Sequence, residues 1–347
     1  MSKVCIVGHF GGNNKFYDGQ TVKTKNLYRA IKDRFNGTVN KTDTYGWKKN
    51  PIFFFIKCLI SIKKNDSIIV LPAHNGVKII IPLFVFFNKI YHKKLFYVVI
   101  GGWLPSLLKD NKKLLKKMKK LNSIFVETEY MKNELNKMGL NNIEILLNFK
   151  DIKPVISSVM TKKESSSIIL RSCIFSRVIY EKGIEDAINV ISNINKTSAK
   201  KKCTLDIYGP IGDDYINRFN NIMKNSPEFI NYKGIVDSSK SVETIQKYDI
   251  LSFPTKFKTE GLPGTIIDSY CAGVPVMTSN WNSAKEFVIE EKTGFIYKFN
   301  DTDDLYYKII KLMDDLAQLN TMRRNCIEFS KKFNEENAII PLLNKIK

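Results

Sequence analysis

Short apolar runs alternate with longer amphipathic stretches along most of the chain, and the whole pattern occurs twice. Such an alternation is typical of parallel strands joined by helices that cover the sheet. In the first half the predicted strands are 3–8, 67–72, 95–100, 123–127 and 143–147, with helices near 20–35, 75–90, 105–120 and 129–138. In the second half they are 168–174, 203–208, 230–233, 249–253, 274–277 and 294–297. The sequence therefore predicts an α/β fold of two doubly wound, Rossmann-like domains with a ligand cleft at the carboxyl ends of the strands.

The boundary between the two domains is predicted in the polar stretch 157–167, SSVMTKKESSS, where Ser and Lys replace the apolar runs on either side. We accordingly expect a first domain over residues 1–160 and a second over residues 161–330. Residues 331–347 are expected to form a helix that packs back towards the first domain. A length of 347 residues agrees with two domains.

The amino-acid composition excludes several classes of protein. With 44% hydrophobic residues the chain can bury enough apolar surface to order itself, which excludes disorder for most of it. The 18 Gly and 11 Pro are too few for a collagen-like chain. The 6 Cys are scattered, with no C-x-x-C and none close to a histidine, which excludes a zinc ribbon and a redox motif and favours a reducing, cytoplasmic compartment.

Positive charge is concentrated in the first third of the chain. Residues 1–120 contain 22 Lys and 2 Arg against 5 acidic residues, so they carry +19 of the total charge of +21. This asymmetry indicates an anionic partner, either lipid headgroups or nucleic acid, although a low-GC genome would also enrich lysine. Residues 105–120, PSLLKDNKKLLKKMKK, place Leu and Lys at helical spacing. They predict either a basic amphipathic helix on a membrane surface or a packed helix with a solvated lysine face.

No targeting or membrane-spanning segment is predicted. The first residues, MSKVCIVGHF, have the pattern of a first strand rather than of a signal peptide. The most apolar stretches, 51–62 and 79–91, are shorter than the ~20 residues that a spanning helix needs. We therefore expect a cytoplasmic protein that is peripheral on the inner face of the cytoplasmic membrane.

Basic residues after the predicted strand 168–174 form the first candidate site. Arg177 and Lys182 lie five residues apart at the start of a predicted helix. An arginine grips phosphate oxygens through its planar fork and a lysine adds a compact charge, so the two predict a diphosphate clamp beside a helix N-terminus. Two solvated surface cations are the alternative interpretation.

A Gly-Leu-Pro-Gly turn that leads into a helix forms the second candidate site. The amides of Gly264, Thr265 and Ile266 then become unsatisfied N-terminal donors that can hold a phosphate or sugar oxygen. The carboxylates of Glu260 and Asp268 lie on either side of the turn, where they can accept hydrogen bonds from hydroxyls of the same ligand. The alternative is that both are ordinary surface acids.

Together the two segments resemble the retaining glycosyltransferases of family 4, in the glycosyl transferases group 1, which have the B-type fold of two facing Rossmann-like domains. The family's G-R-x-x-x-x-K-G-like segment corresponds to residues 176–183, with Ser176 in place of the leading Gly. Its E-x7-E motif corresponds to Glu260 through Asp268, whose second acid is Asp. Its A-x-G-x-P-V segment corresponds to residues 271–276. The resemblance is strong over residues 168–300 and weaker over residues 1–120.

This resemblance implies a retaining, metal-independent glycosyltransferase without a cofactor. Its donor would be a UDP- or GDP-linked sugar, and its acceptor a hydroxyl of a glycan or lipid-linked sugar, in the synthesis of bacterial capsule or O-antigen. Arg177 and Lys182 would bind the donor diphosphate, and Glu260 the sugar hydroxyls. The other implied donor contacts are Ser176, the backbone of Ile235 and Val236 at the nucleobase, the amides of Gly264, Thr265 and Ile266, and Asp268 at the ribose.

The first domain would supply the acceptor side. The residues expected there are Gly11, Gly12, Gln20, His74, Gly101 and Gly102. Many members of the family have a histidine after the fourth strand, where this chain has Gly101 and Gly102, so backbone groups would take its place. Thr21 and His9 are further candidates, although a lone histidine such as His9 or His74 is also compatible with a structural role.

Asp301-x-Asp303 matches the D-x-D motif of the other glycosyltransferase fold, but its position predicts a helix cap rather than a metal site. Two alternatives from other functional classes stay open. One is a catalytically weak partner subunit that binds a nucleotide sugar. The other is a basic nucleic-acid-binding protein, but the chain has no RNP-like strand, zinc finger or basic arm, so no nucleic acid is expected.

Overall fold

The computed structural model describes residues 1–12, 19–150, 168–198 and 201–347. The chain divides into two compact units, Met1–Asp151 together with Phe333–Lys347, and Ile152–Lys332. The polar stretch 157–167, where the sequence predicts the domain boundary, lies outside the described residues.

The first unit contains six parallel strands and the helices between them. Its elements are β1 (Lys3–Gly8), α1 (Gly19–Arg34), β2 (Thr38–Asp43), α2 (Pro51–Lys64), β3 (Ser67–Leu71), α3 (His74–Tyr91), β4 (Lys94–Val98), α4 (Leu104–Lys109), α5 (Lys112–Met118), β5 (Ser123–Val126), α6 (Glu129–Lys137) and β6 (Ile143–Ile145). The strand order is β2-β1-β3-β4-β5-β6. The chain changes direction across the sheet between β1 and β3, which makes the carboxyl ends of these two strands a topological switch point.

The strands of this sheet differ in how deeply they are buried. All five residues of β3 are buried, as expected for a central parallel strand that is covered on both faces. The edge strand β2, TVNKTD, is mostly exposed and polar. Its sequence lacks the apolar run by which the other strands were predicted, and for that reason the sequence did not predict it.

The segment 105–120 does not form the single amphipathic helix that its periodicity predicts. The helix α4 ends at Lys109, and α5 begins at Lys112, where the Asn111 side chain accepts the N–H of Leu114 at 2.9 Å. The apolar side chains of the segment, namely Leu107, Leu108, Leu114, Leu115 and Met118, pack into the core of the first unit. The prediction of a membrane helix in this segment is therefore wrong, because the core uses the apolar face that lipid would need.

The second unit repeats the architecture. Its elements are β7 (Ile168–Phe175), α7 (Ile184–Thr197), β8 (Lys201–Tyr208), α8 (Ile216–Lys224), β9 (Ile230–Gly234), α9 (Ser241–Ile245), β10 (Ile250–Phe253), α10 (Gly264–Cys271), β11 (Val276–Ser279), α11 (Ala284–Phe287), β12 (Gly294–Tyr297), α12 (Thr302–Asp314) and α13 (Leu316–Ser330). The parallel strands follow the order β12-β11-β10-β7-β8-β9. The switch point therefore lies at the carboxyl ends of β7 and β10.

The last helix, α14 (Glu335–Ile346), belongs to the first unit although the second unit precedes it in sequence. The Glu335 carboxylate accepts hydrogen bonds from Arg29, at 3.2 Å, and from Arg34, both on α1. The side chains of Ile339 and Leu342 join the same hydrophobic cluster as Leu27 of α1. No helix among the described residues is long and apolar enough to cross a membrane.

Candidate functional site

The switch point of the second unit is where β7 and β10 pair side by side. The Oγ atoms of Ser172 and Ser252 lie 2.7 Å apart across the two strands. The predicted donor residues Ser176 and Arg177 follow β7 directly, and the Ser176 hydroxyl donates to the Arg177 carbonyl at 3.0 Å. Arg177 is exposed, and it forms no ion pair with any residue that the structure describes. It is thus a cation available to an anionic ligand.

Lys182 and Glu260 meet across the loops that follow β7 and β10. The Lys182 Nζ lies 2.5 Å from Glu260 Oε1, and both side chains are largely buried, 12% and 15% exposed. The ammonium group also lies over the rings of Phe253 and Phe257, at 5.0 and 5.3 Å from their centroids. These rings limit its access to water, and this strengthens its interaction with a carboxylate or a phosphate.

Thr255 fixes the position of the Glu260 carboxylate. Its hydroxyl donates to Glu260 Oε1 at 2.7 Å and accepts the N–H of Phe257 at 3.2 Å. Its carbonyl accepts a hydrogen bond from the Ser279 hydroxyl at 2.5 Å. The loop after β10 is therefore tied to β11, and the second oxygen of Glu260 remains available for hydroxyl groups of a ligand.

Gly183 allows the loops after β7 and β10 to come together. Its φ is +68°, and a Cβ at this position would lie 1.8 Å from the carbonyl oxygen of Pro254. Any other residue would both strain the backbone and displace the loop that carries Glu260. The Lys-Gly pair of the sequence motif thus has a steric cause, since the glycine permits the approach through which the lysine reaches the glutamate.

The N-terminus of α10 offers fewer donors than the sequence predicts. The Ile266 amide donates to the Pro263 carbonyl at 3.0 Å, so the prediction that it is unsatisfied is wrong. The first turn of α10 therefore closes with a hydrogen bond between residues three positions apart. The amides of Gly264 and Thr265 have no acceptor among the described residues. The hydroxyl of Thr265 is buried and also has no partner among them.

The remaining predicted donor residues lie along the same sheet. Asp268 is buried one turn inside α10. Ile235 and Val236 follow β9, two strands along the sheet from β7, and Ile235 is half exposed. Because the strands are parallel, the segments after β7, β9 and β10 all emerge at one edge.

Two further cations beside this edge are already neutralised. Lys256 Nζ lies 2.5 Å from Asp186 Oδ2, and Arg218 Nη2 lies 2.8 Å from Glu185 Oε2. Both cations also lie over the ring of Tyr180. Arg177, and Lys182 once a ligand competes for it with Glu260, are among the described cations at this edge that remain for a ligand.

In the first unit, Asp43 shapes the glycine turn after β1. Its carboxylate accepts the N–H groups of Phe10 at 2.9 Å, Gly12 at 2.8 Å and Tyr45 at 2.8 Å. Gly11 and Gly12 have φ values of 87° and 57°. Burial by itself raises the pKa of Asp43, but these three hydrogen bonds outweigh it and leave the pKa below its ordinary value.

A buried ion pair lies beneath the start of α1, and the sequence did not predict it. Lys23 Nζ donates to the Val99 carbonyl at 2.9 Å and to the Glu127 carboxylate. Nearby in sequence, Thr21 is buried, and its hydroxyl lies 2.7 Å from His9 Nδ1. The predicted acceptor residue Gln20 is half-buried in the first turn of α1. The sequence feature that could have indicated a buried Lys23 is its helical spacing with the other buried residues of α1.

His74 and the turn after β4 are brought together at the neighbouring strand ends. The ring of His74, at the start of α3, lies edge-on to Trp103 with centroids 5.1 Å apart. Trp103 Nε1 donates to the Ile100 carbonyl at 2.7 Å, and Gly101 has a φ of 80°. Gly102 is half-buried in the same turn. The acceptor residues predicted at 74, 101 and 102 thus form one local cluster.

Among the described residues, no group of three or more His, Cys, Asp or Glu side chains is arranged to hold a metal ion. Asp301 caps α12, and its carboxylate accepts the N–H of Asp304 at 2.9 Å. The prediction that Asp301 is a helix cap is confirmed. The 6 cysteines are all buried and free.

Comparisons with known proteins show which family model, relatives and solved structures this chain resembles. Residues 162–333 match the family model "Glycosyl transferases group 1". An uncharacterized glycosyltransferase of Methanocaldococcus jannaschii is 26% identical over 50% of this chain, and the match spans 43% of that protein's length. The uncharacterized 41.2 kDa protein in the cps region of Klebsiella pneumoniae is 25% identical over 91% of this chain and 87% of its own. The crystal structure of Anabaena HepE in complex with UDP and glucose has a TM-score of 0.75 and is 13% identical, covering 100% of this chain and 99% of the other.

Proposed function

We propose that this protein is a retaining glycosyltransferase of family 4, because residues 162–333 match the family model of the glycosyl transferases group 1 and the chain has the B-type glycosyltransferase fold. It would transfer a sugar from a nucleotide diphosphate donor to a hydroxyl of a glycan or lipid-linked acceptor. The observation that carries the proposal is the contact of Lys182 with Glu260 at the switch point, with the exposed Arg177 in the same loop after β7 as Lys182. Both residues of this pair stand in the segments that resemble motifs of that family.

The available groups fit a nucleotide diphosphate sugar. Arg177 and Lys182 would bind the diphosphate, and the amides of Gly264 and Thr265 would hold phosphate or sugar oxygens. Glu260, positioned by Thr255, would accept hydrogen bonds from sugar hydroxyls. The other proposed contacts are Ser176, the nucleobase along Ile235 and Val236, and the ribose at Asp268. The UDP and glucose bound by Anabaena HepE support UDP as the nucleotide, with GDP as the alternative.

The proposed reaction proceeds on one face of the sugar and needs no metal or cofactor. The bond between the anomeric carbon and the β-phosphate oxygen breaks, and the departing phosphate takes the proton of the acceptor hydroxyl. The new bond from that oxygen to the anomeric carbon forms on the same face, so the configuration is retained. Arg177 and Lys182 would stabilise the negative charge that develops on the diphosphate, and such stabilisation is usually the largest catalytic effect.

The first unit would bind the acceptor. The backbone at Gly11 and Gly12, held by Asp43, and the cluster of His74, Gly101 and Gly102 are the proposed contacts, with Gln20 beside them. The relative in the cps region of Klebsiella pneumoniae supports a role in surface polysaccharide synthesis. We also propose that the lysine-rich first unit contacts an anionic membrane, which would place the protein at the inner face of the cytoplasmic membrane.

A thermal-shift panel of UDP, GDP, ADP and CMP tests the donor site, using the wild type and Lys182→Ala. A ligand at ~100 times its Kd adds about 2.7 kcal/mol to the stability of the folded state, enough to raise Tm by a few degrees. We expect one nucleotide to stabilise the wild type and to have little effect on the variant. Stabilisation of neither protein by any nucleotide would contradict the donor site and favour the nucleic-acid alternative, which retention on an RNA or DNA column would then test.

The product completes the test. With the nucleotide sugar identified by the panel and a set of glycan and lipid-linked acceptors, NMR of the product should show the anomeric configuration of the donor. An inverted product would contradict the retaining mechanism. Nucleotide binding without transfer to any acceptor would support the partner-subunit alternative.

A further inference from the structure

Two helices of the first unit expose an apolar face. On α2 the exposed residues are Ile52, Phe53, Phe55, Ile56 and Ile60, and on α3 they are Ile79, Phe86 and Ile90. We call these eight residues the α2–α3 face. Soluble domains expose single apolar side chains commonly, but a contiguous set of large ones marks an interaction surface.

The face is continuous across the two helices. Ile52, Ile56 and Ile60 repeat every fourth residue and so form one stripe along α2. The ring of Phe87 on α3 lies 5.0 Å from that of Phe55 and 6.0 Å from that of Phe86, measured between centroids. Phe87 is buried and joins the two exposed faces beneath the surface.

The opposite sides of both helices are already used by the core. Phe54, Cys58 and Ile62 of α2, together with Ile80 and Phe84 of α3, are buried in the hydrophobic cluster of the first unit. The helix α2 is therefore apolar on nearly its whole circumference, although the fold covers only part of it. A helix with this composition is normally enclosed on all sides, so the exposed half indicates a second apolar environment.

The charges around the face indicate which environment that is. The two helices contain five lysines and no acidic residue. The lysines are Lys57, Lys63, Lys64, Lys78 and Lys89. All five are exposed, and none forms an ion pair with any described residue. A second copy of the same face would bring two sets of lysines together, so like charges oppose self-association.

We propose that the α2–α3 face is the surface by which this protein docks on an anionic phospholipid bilayer. The isoleucine and phenylalanine side chains would enter the boundary between headgroups and acyl chains, and the lysines would lie at the anionic headgroups. The helices would lie along the surface, because 14 residues of α2 extend only about 21 Å against a hydrocarbon core of about 30 Å. The inference deepens the proposed membrane contact of the first unit, but it requires neither a donor nor a transfer reaction.

Sedimentation with vesicles tests this assignment with the full chain. The vesicles contain equal parts of phosphatidylglycerol and phosphatidylcholine, and vesicles of phosphatidylcholine alone are the charge control. The test variant is Ile56→Gln/Ile60→Gln. Its matched control, Ile216→Gln/Ile340→Gln, alters two isoleucines of similar exposure outside the face, 43% and 48% against 45% and 46%. Circular dichroism confirms that each variant is folded.

We expect the wild type to bind the anionic vesicles and to bind phosphatidylcholine much more weakly. The partition coefficient of the test variant should fall at least tenfold, because half-exposed isoleucines lose their contact with the acyl chains, while the control should stay within about twofold. Equal binding by the test variant and the wild type, or no binding by the wild type, would overturn the proposal. So would a wild-type dimer that the test variant dissociates, since the occupant would then be a second copy.

A lysine series separates this face from the rest of the basic unit. The variant Lys57→Gln/Lys63→Gln/Lys64→Gln should bind anionic vesicles about fivefold more weakly for each lysine removed. The exposed lysines of α5 provide the control, Lys112→Gln/Lys113→Gln/Lys116→Gln. A greater loss in the α5 variant would overturn the assignment. Vesicle binding with intact dependence on the face, in a protein that binds no nucleotide, would refute the proposed function and leave this inference standing.

Discussion

Lys182 and Glu260 are both partners in a largely buried contact and proposed ligands of the donor, so their substitution has two effects that must be separated. Glu260→Gln preserves the shape of the side chain and an oxygen that can accept the Thr255 hydroxyl, but it removes the negative charge opposite Lys182. We expect transfer to fall about 100-fold or more, as when one preorganised polar contact is removed from an active site. Turnover with saturating donor measures this.

The control for that prediction is Lys308→Gln, which breaks an ion pair with Glu290 on another side of the second unit. Lys308 is 25% and Glu290 41% exposed, and a solvent-accessible pair of this kind contributes at most about 1 kcal/mol, so Lys308→Gln should keep both stability and transfer. If Glu260→Gln unfolds in urea at the same concentration as the wild type and still transfers at the wild-type rate, Glu260 has no part in the reaction.

A substitution of Gly183 tests why a glycine follows Lys182 in the motif. The close approach of two loops would require it there, rather than the flexibility of glycine alone. Gly183→Ala would place a Cβ 1.8 Å from the Pro254 carbonyl oxygen, whereas Gly234, with a φ of +78°, has nothing within 4 Å. Both alanine variants carry the cost of a left-handed conformation, about 1–2 kcal/mol. Gly183→Ala should lower the free energy of unfolding by at least about 2 kcal/mol more than Gly234→Ala.

Urea unfolding monitored by tryptophan fluorescence and circular dichroism measures both variants. Similar losses for the two would mean that the loop after β10 moves aside without cost, and the steric explanation of the Lys-Gly pair would fail.

Some residues of the candidate sites can be predicted from the sequence individually, and others cannot. Lys182 and Glu260 stand in motifs with fixed spacing, so they were predicted individually, although their contact was not. Lys23 and Glu127 are separated by 104 positions and have no shared motif, so only the folded chain brings them together. The amide of Ile266 was predicted to be free because the sequence does not show that the first turn of α10 closes on Pro263.

At the scale of elements, the edge strand β2 ends in Asp43, whose carboxylate holds the turn after β1. The pKa of Asp43 is lowered below its ordinary value of 3.8, since the hydrogen bonds from Tyr45, Phe10 and Gly12 outweigh the effect of burial. A carboxyl group with a lowered folded-state pKa stabilises the fold at pH values above its ordinary pKa. That stability is lost as the pH falls through the folded-state pKa.

Asp43→Asn should therefore be less stable than the wild type by a margin that depends on pH. The margin in unfolding free energy should be largest near about pH 6 and should shrink as the pH falls below about 3.8, the ordinary pKa of an aspartate. Urea unfolding of both proteins across this range provides the measurement, and other carboxylates cancel in the difference. A margin that stays constant with pH would show that Asp43 does not hold the turn as a carboxylate.

Hydrophobic periodicity predicted the elements well where burial produces the periodic pattern. It failed where burial does not produce such a pattern. The central strands are apolar throughout because helices cover both of their faces, whereas β2 at the sheet edge has no such constraint. The division between α4 and α5 was missed because Lys, Leu and Asn all tolerate a helix. The break depends on one cap at Asn111 and on which face the core requires.

At the scale of the whole molecule, the two-unit organisation could be predicted because an alternating pattern that occurs twice requires two sheets. The sequence shows less clearly to which of the two units each element belongs. The described chain enters the second unit at β7 and ends in α14, which belongs to the first unit. The contacts that hold α14 join residues about 300 positions apart, such as Arg29 with Glu335, and local patterning carries no information about such pairs.

The neighbours Ile339 and Ile340 test how much the first unit depends on α14, because the first is fully buried and the second is 48% exposed. Ile339→Ala removes a side chain from the cluster formed with Leu27 and Val4, so it should lower the free energy of unfolding by about 2–5 kcal/mol. Ile340→Ala makes the same chemical change one position along the helix and should cost no more than about 0.5 kcal/mol. Urea unfolding followed by the fluorescence of Trp47 and Trp103, which pack against the core of the first unit, detects this change. If the two variants are equally stable, α14 contributes no packing energy to the first unit, and the C-terminal residues are an appendage rather than a part of its core.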